Sequence, residues 1–207
     1  MSTISIIGSG SMAEAIGTRA AAHGHVVEII GRRTDSARAL ADRIGHGALV
    51  GAPGATPAGE IVVVAVRYAD AVEAVTRHRD VLAGTIVVDI TNPFTGDATG
   101  VVTTLGDSMS DRIAAVVPDA HVVKAFNTVF AGVIAADDPI DALYAGDSSE
   151  AKARVAGFLD SIGMRPRDVG PLVMAHALEW AGVLLVGAAN NGAGFDAALR
   201  VEVRGEG

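Results

Sequence analysis

The sequence predicts an α/β fold in which helices cover both faces of a doubly wound, mostly parallel sheet. Short apolar runs of strand length alternate along the chain with segments of helical periodicity. The run at residues 61–66 is apolar without interruption, which is typical of a parallel strand covered on both faces. A length of 207 residues suits one domain over 1–207. We expect a sheet core at 1–170 and a C-terminal helix and tail at 171–207, with this helix packed over one end of the sheet.

The predicted elements follow the apolar runs and the turn residues between them. Gly24 and Gly163 close predicted helices, and Gly170-Pro171 opens the last one. Strands are expected at residues 4–8, 26–31, 48–51, 61–66, 85–90, 121–125, 141–145 and 165–169. Helices are expected at 12–23, 36–44, 69–79, 110–117, 149–162 and from 171 onward, with a long loop at 94–106. This alternating order favours neighbouring parallel strands joined by crossover helices.

The turn after the first strand has the residue spacing of a Rossmann-like dinucleotide-binding site. Gly8 permits a tight turn, Gly10 lets the backbone approach a pyrophosphate, and Ala13 keeps the helix close to the strand. The helix that begins near Ser11 also offers free N–H groups and the positive end of its dipole. We therefore expect the pyrophosphate of a dinucleotide to contact Gly8, Ser9, Gly10, Ser11 and Met12. The alternative is a purely structural glycine turn.

The end of the second strand indicates which dinucleotide is bound. An NAD-binding protein usually has Asp or Glu there, to accept hydrogen bonds from the ribose hydroxyls. This chain has Gly31, Arg32 and Arg33 instead, and guanidinium groups suit a 2′-phosphate in charge and geometry. Glu28 is the competing carboxylate, but it lies in the middle of the strand. The sequence therefore predicts NADP(H).

The carboxyl ends of the other strands predict the rest of the ligand site, since ligands of such sheets bind there. These ends are apolar and rich in amides, without paired carboxylates or a Ser/His/Asp arrangement, so no catalytic residue and no metal site is expected. The further cofactor-binding residues are predicted to be Ala65, Val66, Arg67, Asn92, Pro93, Ala125 and Asn127. A second ligand is expected against Asn127, Thr128, Val129, Met174 and Leu178, because Gly170-Pro171 turns the last helix back over this end.

Composition limits the possible partners. The net charge is −8 and no basic run occurs, so nucleic acid and anionic membrane surfaces are not expected partners. The absence of cysteine excludes disulfides and thiolate chemistry. The N-terminus enters a strand directly, which predicts a cytoplasmic protein without a signal peptide. The apolar segment 172–189 contains His176 and Glu179, so we interpret it as a buried helix and not as a membrane span.

Three segments carry a resemblance to a known family. Val122-Val123-Lys124-Ala125-Phe126-Asn127-Thr128, with Asp89-Ile90-Thr91-Asn92-Pro93 before it and Asp168-Val169-Gly170-Pro171 after it, resembles the coenzyme F420-dependent NADP reductases. The similarity runs nearly end to end. It implies hydride transfer between NADP(H) and the deazaflavin coenzyme F420. The chain is also similar to the cytosolic domain of membrane ferric reductases, which use NADPH and a flavin. Its early segment resembles pyrroline-carboxylate reductases.

Two departures from the family pattern leave the second ligand open. Val66-Arg67-Tyr68 replaces a frequent proline after strand four, and Asn127-Thr128 replaces a common His-Thr. The first hypothesis is an NADP-dependent deazaflavin reductase, in which the protein orients two rings and needs no dedicated acid. The second is an NADPH-dependent reductase of a flavin or of a small carbonyl or imine, with Tyr68, His176 or Lys124 as proton donor. The third is a non-catalytic dinucleotide-binding module. We expect a homodimer that binds small-molecule coenzymes.

Overall fold

A computed structural model of the protein describes residues 2–95, 100–102 and 108–202. Eight strands form one sheet in the order β3-β2-β1-β4-β5-β6-β7-β8. The strands are β1 (Thr3–Ile7), β2 (Val26–Ile30), β3 (Leu49–Gly51), β4 (Ile61–Val64), β5 (Ile86–Asp89), β6 (His121–Lys124), β7 (Asp141–Gly146) and β8 (Arg165–Asp168). The first six strands are parallel, whereas β7 is antiparallel to β6 and β8 is parallel to β7. The predicted doubly wound, mostly parallel sheet is confirmed.

Helices cover the sheet between these strands. They are α1 (Ser11–Ala22), α2 (Thr34–Ile44), α3 (Ala71–Thr76), α4 (Met109–Val116), α5 (Ala131–Ala135), α6 (Ser149–Ser161) and α7 (Ala175–Ala188). Two apolar clusters, one for each face of the sheet, form the core. Residues 96–99 and 103–106 of the predicted loop at 94–106 lie outside the described residues.

Two features near the far edge of the sheet differ from the expected order. Helix α5 was not predicted, because a single helical turn of five residues is too short to show an apolar periodicity. The direction of β7 was not predicted either. A parallel crossover usually needs a helix long enough to return along the strands. Five helical residues rise only about 7.5 Å, so the chain enters β7 in the opposite direction.

The sheet reverses its strand order between β1 and β4, and their carboxyl ends touch. Gly8 follows β1 with a φ of 137°, and a Cβ on it would lie 2.0 Å from the Ala65 carbonyl oxygen at the end of β4. Only glycine fits both this conformation and this contact. Ligands of open α/β sheets bind beside such a reversal.

The C-terminal helical segment packs over the same end of the sheet. A 3-10 turn at Leu172–Met174 leads into α7, and Gly182 of α7 lies against Asn92. In the part of the chain that the structure describes, Leu172–Ala193 is the one helical stretch with the length and hydropathy of a membrane span. Its Glu179 side chain is buried in a polar cluster with Lys124, and Leu178 and Leu185 are also buried. Here the segment serves as a wall of the domain.

Candidate functional site

A cleft of about 760 Å³ runs along the carboxyl ends of β1, β2, β4 and β5. Twelve of the predicted cofactor-binding residues line this first cleft: Gly8, Ser9, Gly10, Ser11, Met12, Gly31, Arg32, Arg33, Ala65, Val66, Arg67 and Asn92. Tyr68 lines it as well. Pro93 and Ala125 do not line it, and Asn127 lines a neighbouring cleft.

The glycine turn opens the first cleft to a ligand. Gly8 N–H donates to the Ile30 carbonyl at 2.9 Å, which fixes the turn against the end of β2. Gly10 is the N-cap of α1, and no atom beyond Gly10 and its two chain neighbours lies within 4 Å of the place that a Cβ would occupy. The first N–H groups of an α-helix have no partner within the helix. Those of α1 therefore provide an anion-binding surface beside empty space at Gly10.

The arginines of the first cleft fall into two kinds. Arg67 pairs with Asp70 at 3.0 Å, and Arg77 pairs with Glu73, so local carboxylates already neutralise both guanidinium groups. Arg32 and Arg33 are exposed and have no carboxylate partner within the described residues. The unneutralised positive charge of this cleft therefore lies at the end of β2.

Glu28, the competing carboxylate, is used within the fold. Its Oε2 accepts a hydrogen bond from Ser5 Oγ at 2.5 Å and from the Ala58 N–H at 2.8 Å, and the side chain is buried. It does not line either cleft. A carboxylate held between β1 and the loop before β4 cannot accept hydrogen bonds from a ribose at the strand ends.

A second cleft of about 460 Å³ joins the first and shares Ser11, Met12, Ile90, Asn92 and Phe94 with it. Asn127 and Val129 line it as predicted for the second ligand, whereas Thr128, Met174 and Leu178 line neither cleft. Its other lining residues are Phe126, Phe130, Ala131, Gly132, Gly182, Leu185, Val186, Phe195 and Asp196. The part of α7 that lines this cleft thus lies one to two helical turns further along the chain than the predicted Leu178.

A reciprocal amide pair explains where α7 forms this wall. Asn92 Nδ2 donates to the Asn127 carbonyl at 2.7 Å, and Asn127 Nδ2 donates to Asn92 Oδ1 at 2.9 Å and to the Leu178 carbonyl at 2.6 Å. A Cβ on Gly182 would lie 2.3 Å from Asn92 Oδ1, so only glycine lets the helix come this close. Leu178 meets the pair through its backbone, and the cleft begins one turn further along α7.

The turn after β6 directs Asn127 into this arrangement. Phe126 has a φ of 60° and is fully buried, with its ring centroid 6.3 Å from that of Phe158. A bulky residue adopts this left-handed conformation only where its surroundings fix it. The buried packing of Phe126 therefore determines the direction in which the chain leaves β6.

A buried polar cluster joins α7 to the sheet. Lys124 Nζ donates to Asp89 Oδ2 at 2.9 Å, to the Thr91 carbonyl at 2.5 Å and to Glu179 Oε1 at 3.0 Å. Glu179 Oε1 also accepts a hydrogen bond from the Met109 N–H at 2.8 Å. Burial raises the pKa of Glu179 and Asp89 adds to the increase, while the charge of Lys124 opposes it. The cluster ties β5, β6 and α4 to α7.

The three proposed proton donors are not brought together. Tyr68 lines the first cleft, whereas Lys124 and His176 line neither. The Lys124 ammonium is fully buried and holds three acceptors, so its position is structural. Within the described residues no group of three or more His, Cys, Asp or Glu side chains could hold a metal ion.

Comparisons with known proteins agree with this geometry. Residues 3–93 match the model of a family described as NADP oxidoreductase, coenzyme F420-dependent. A crystal structure of a hypothetical protein from Sinorhizobium meliloti is 31% identical, with 84% of this chain and 87% of that chain covered and a TM-score of 0.75. The structure of a candidate F420-dependent NADP reductase from Arthrobacter sp. FB24 has a TM-score of 0.85 at 24% identity, with 98% and 100% covered. This second likeness shows the shared fold.

A curated relative is the metalloreductase STEAP3 of Rattus norvegicus. It is 28% identical over 179 residues, which are 85% of this chain. The matched part is 35% of that protein, so the chain spans about a third of the length of its curated relative.

Proposed function

We propose that this chain, whose residues 3–93 match the family of NADP oxidoreductases described as coenzyme F420-dependent, transfers a hydride between NADP(H) and a deazaflavin of the F420 type. The observation that carries this proposal is the junction of the two clefts. Five residues, Asn92 among them, line both clefts. The reactive rings of two ligands would meet at this junction, next to the Asn92–Asn127 pair.

The first cleft supports a phosphorylated dinucleotide. Gly10 and the start of α1 would hold its pyrophosphate, and Arg32 and Arg33 would hold its 2′-phosphate. When bound, the nicotinamide supplies or takes up the hydride. The paired Asn92 and Asn127 amides keep the wall between the clefts rigid, which holds two rings within reach of each other.

The second cleft supports a planar acceptor. Ile90, Phe94, Val129, Leu185 and Val186 give it apolar walls that would exclude water from a stacked pair of rings. A deazaflavin takes up a hydride as a unit, so this role needs orientation more than acid–base chemistry. The absence of a histidine or lysine among the described lining residues of this cleft fits that requirement.

Reduction of a flavin, or of a small carbonyl or imine, by NADPH is the alternative. Tyr68 is the observation that favours it, since it lies in the first cleft and is one of the three predicted proton donors. The two functions are separated by mixing the purified protein with NADPH and either F420, FMN or a panel of imines. We expect the deazaflavin absorbance to disappear together with that of NADPH. Turnover of imines in the absence of any F420 reduction would overturn the proposal.

We further propose that the protein is a cytoplasmic homodimer. The outer face of α7 carries the exposed Leu184, and the exposed Val173 and Phe195 lie just before and after this helix. Large apolar side chains exposed in this way are typical of a protein interface. A second copy of the chain is the proposed partner because this face adjoins the second cleft through Phe195, which lines it.

A further inference from the structure

We infer that His78 is a positioning residue for NADP(H), because its neutral imidazole ties the β3–β4 loop (residues 52–60) to α3 and so fixes one wall of the first cleft. Protonation of this ring releases the wall and weakens binding of the adenosine half of the cofactor. This inference rests on the proposed assignment of the first cleft to NADP(H). It does not depend on which acceptor the second cleft binds.

His78 lines the part of the first cleft where the adenine base is expected. Pro53 of the β3–β4 loop and Ala74 of α3 line this cleft together with His78. Strand β3 is next to β2 in the sheet, so the residues after β3 lie beside Arg32 and Arg33, which follow β2. The 2′-phosphate that these arginines would bind is on the adenosine ribose. The base attached to this ribose is therefore expected between the loop and α3.

Two hydrogen bonds determine which nitrogen of the His78 ring carries the hydrogen. The Gly54 N–H donates to Nε2 at 3.0 Å, and Nδ1 lies 2.9 Å from the Ala74 carbonyl oxygen. A backbone N–H can only donate and a carbonyl oxygen can only accept, so Nε2 is the acceptor and Nδ1 is the donor. The ring is therefore neutral in this arrangement. A proton added at Nε2 would turn the acceptor into a second donor directed at the Gly54 N–H.

The bond to His78 holds the part of the β3–β4 loop that lines the cleft. Within the described part of the chain, residues 53–57 make one hydrogen bond to another element, and it is the bond from Gly54. The end of the loop is held separately, because its last N–H groups donate to the side chains of Glu28 and Ser5. Loss of the contact with His78 would therefore release this wall of the cleft without unfolding the start of β4.

The charged groups around His78 do not supply a carboxylate for an added proton. The acidic side chains of the β3–β4 loop, of α3 with the 3-10 turns beside it and of α4 each have a neighbouring arginine or hydroxyl as partner, and they are Glu60, Asp70, Glu73, Asp80 and Asp111. The cations of these elements and of the first cleft are Arg32, Arg33, Arg67, Arg77, Arg79 and Arg112. A positive charge on His78 would therefore meet no unpaired carboxylate among these described residues.

The test measures binding of NADP⁺ and of adenosine 2′,5′-bisphosphate, the adenosine half of the cofactor with its 2′-phosphate, by calorimetry without any acceptor. At about pH 8, where histidine is neutral, His78→Leu removes the acceptor for Gly54 and should weaken both ligands about threefold to tenfold. His78→Gln can place its Oε1 near the position of Nε2 and should bind both ligands like wild type. His78→Asn can donate to the Ala74 carbonyl but is too short to reach Gly54, so it should behave like His78→Leu.

The pH profile separates this positioning role from a purely structural one. Histidine ordinarily gains a proton between about pH 8 and pH 5, whereas glutamine does not. As the pH falls, binding to wild type should therefore weaken about threefold to tenfold relative to binding to His78→Gln. The 2′-phosphate itself titrates near about pH 6, but its effect is the same for both proteins and cancels in their ratio. His121→Gln removes an exposed histidine at the start of β6, is the matched control and should follow wild type.

Three results would overturn the inference. They are a folded His78→Leu protein that binds both ligands like wild type, a His78→Gln protein as weak as His78→Leu, and a ratio of wild type to His78→Gln that stays constant within about twofold or reverses as the pH falls. Circular dichroism checks the fold, and the ratio decides alone if His78→Leu does not fold. If wild type binds neither ligand, the assignment of the first cleft to NADP(H) is wrong as well. A failure of F420 reduction concerns only the proposed hydride transfer, because no acceptor is present in this test.

Discussion

Lys124 Nζ in β6 lies 3.0 Å from Glu179 Oε1 in α7, and both side chains are completely excluded from solvent. The same ammonium lies 2.9 Å from Asp89 Oδ2, so two carboxyl groups share one cation inside the protein. The helix that this cluster holds against the sheet also contributes Gly182, Leu185 and Val186 to the second cleft. The shape of the second cleft therefore depends on a polar contact between residues that line neither cleft.

The pH dependence of stability should reveal this cluster. Because burial raises the pKa of Glu179 above its ordinary value of 4.5, the folded protein holds this proton more tightly than the unfolded chain does. Protonation of Glu179 therefore stabilises the folded protein. This contribution to the unfolding free energy is fully present below the ordinary pKa and is lost as the pH rises through the raised pKa. In Glu179→Gln this loss should disappear, so the unfolding free energy of the variant should gain on that of wild type as the pH increases.

Urea unfolding of both proteins at a series of pH values measures this difference. Glu150→Gln, on an exposed position of the first turn of α6, is the matched control. If the unfolding free energies of wild type and Glu179→Gln change by the same amount with pH, the prediction is wrong.

Cofactor preference should depend on Arg32. The loss of one charge-assisted contact costs about 1.5–3 kcal/mol, so Arg32→Ala should raise KM for NADPH roughly tenfold to a hundredfold and leave KM for NADH nearly unchanged. Arg67→Ala removes an arginine of the same cleft that Asp70 already neutralises. It should affect both cofactors alike. Steady-state kinetics with both cofactors checks the assignment, and equal effects of Arg32→Ala on both would remove it.

The two glycines of the turn should fail in different ways. Gly10→Val adds a side chain at a place where no atom beyond the chain neighbours lies within 4 Å, so the variant should fold normally and lose NADPH binding. Gly8→Val would place Cβ about 2.0 Å from the Ala65 carbonyl oxygen at a positive φ, so that variant should lose stability. Circular dichroism together with titration of NADPH fluorescence distinguishes these outcomes. A folded Gly10→Val protein with unchanged NADPH affinity would show that the cofactor binds elsewhere.

A bulky substitution on α7 should block binding of the acceptor. Val186 is half-buried and lines the second cleft, so Val186→Trp should abolish turnover of the acceptor while NADPH still binds. Val183→Trp changes a half-buried residue of the same helix that lines neither cleft, and its turnover should remain close to wild type. If acceptor turnover survives in Val186→Trp and NADPH binding is lost instead, the two ligands have been assigned to the wrong clefts.

The proposed homodimer should depend on the outer face of α7. Leu184 is 68% exposed, and Leu184→Glu should convert a dimer of the 20.9 kDa chain into monomers, as measured by light scattering. Leu49→Glu introduces the same charge at an exposed leucine in β3 and should leave the dimer intact. A wild-type protein that is monomeric at high concentration would exclude this proposal.

Local sequence patterns were sufficient to predict most of the strand ends that line the first cleft. The glycine turn after β1, the arginines after β2 and the amide after β5 all follow apolar runs, and parallel strands bring their carboxyl ends to one edge. For this reason twelve of the residues predicted to bind the cofactor lie in one cleft. The position of Glu28 in the middle of its strand was also visible in the sequence, although its bond to Ser5 was not.

The sequence by itself determined the alternation of strands and helices, the dinucleotide-binding turn and the phosphorylated cofactor that the arginines favour. Only the tertiary structure decided the direction of β7, the partners of Lys124 and which turn of α7 faces the second cleft. The predicted contacts at Met174 and Leu178 were displaced because the close approach of Gly182 to Asn92 sets the helix in place. These features depend on packing between segments that are far apart in the chain. Hydrophobic periodicity and turn residues, in contrast, depend only on residues close together in the sequence.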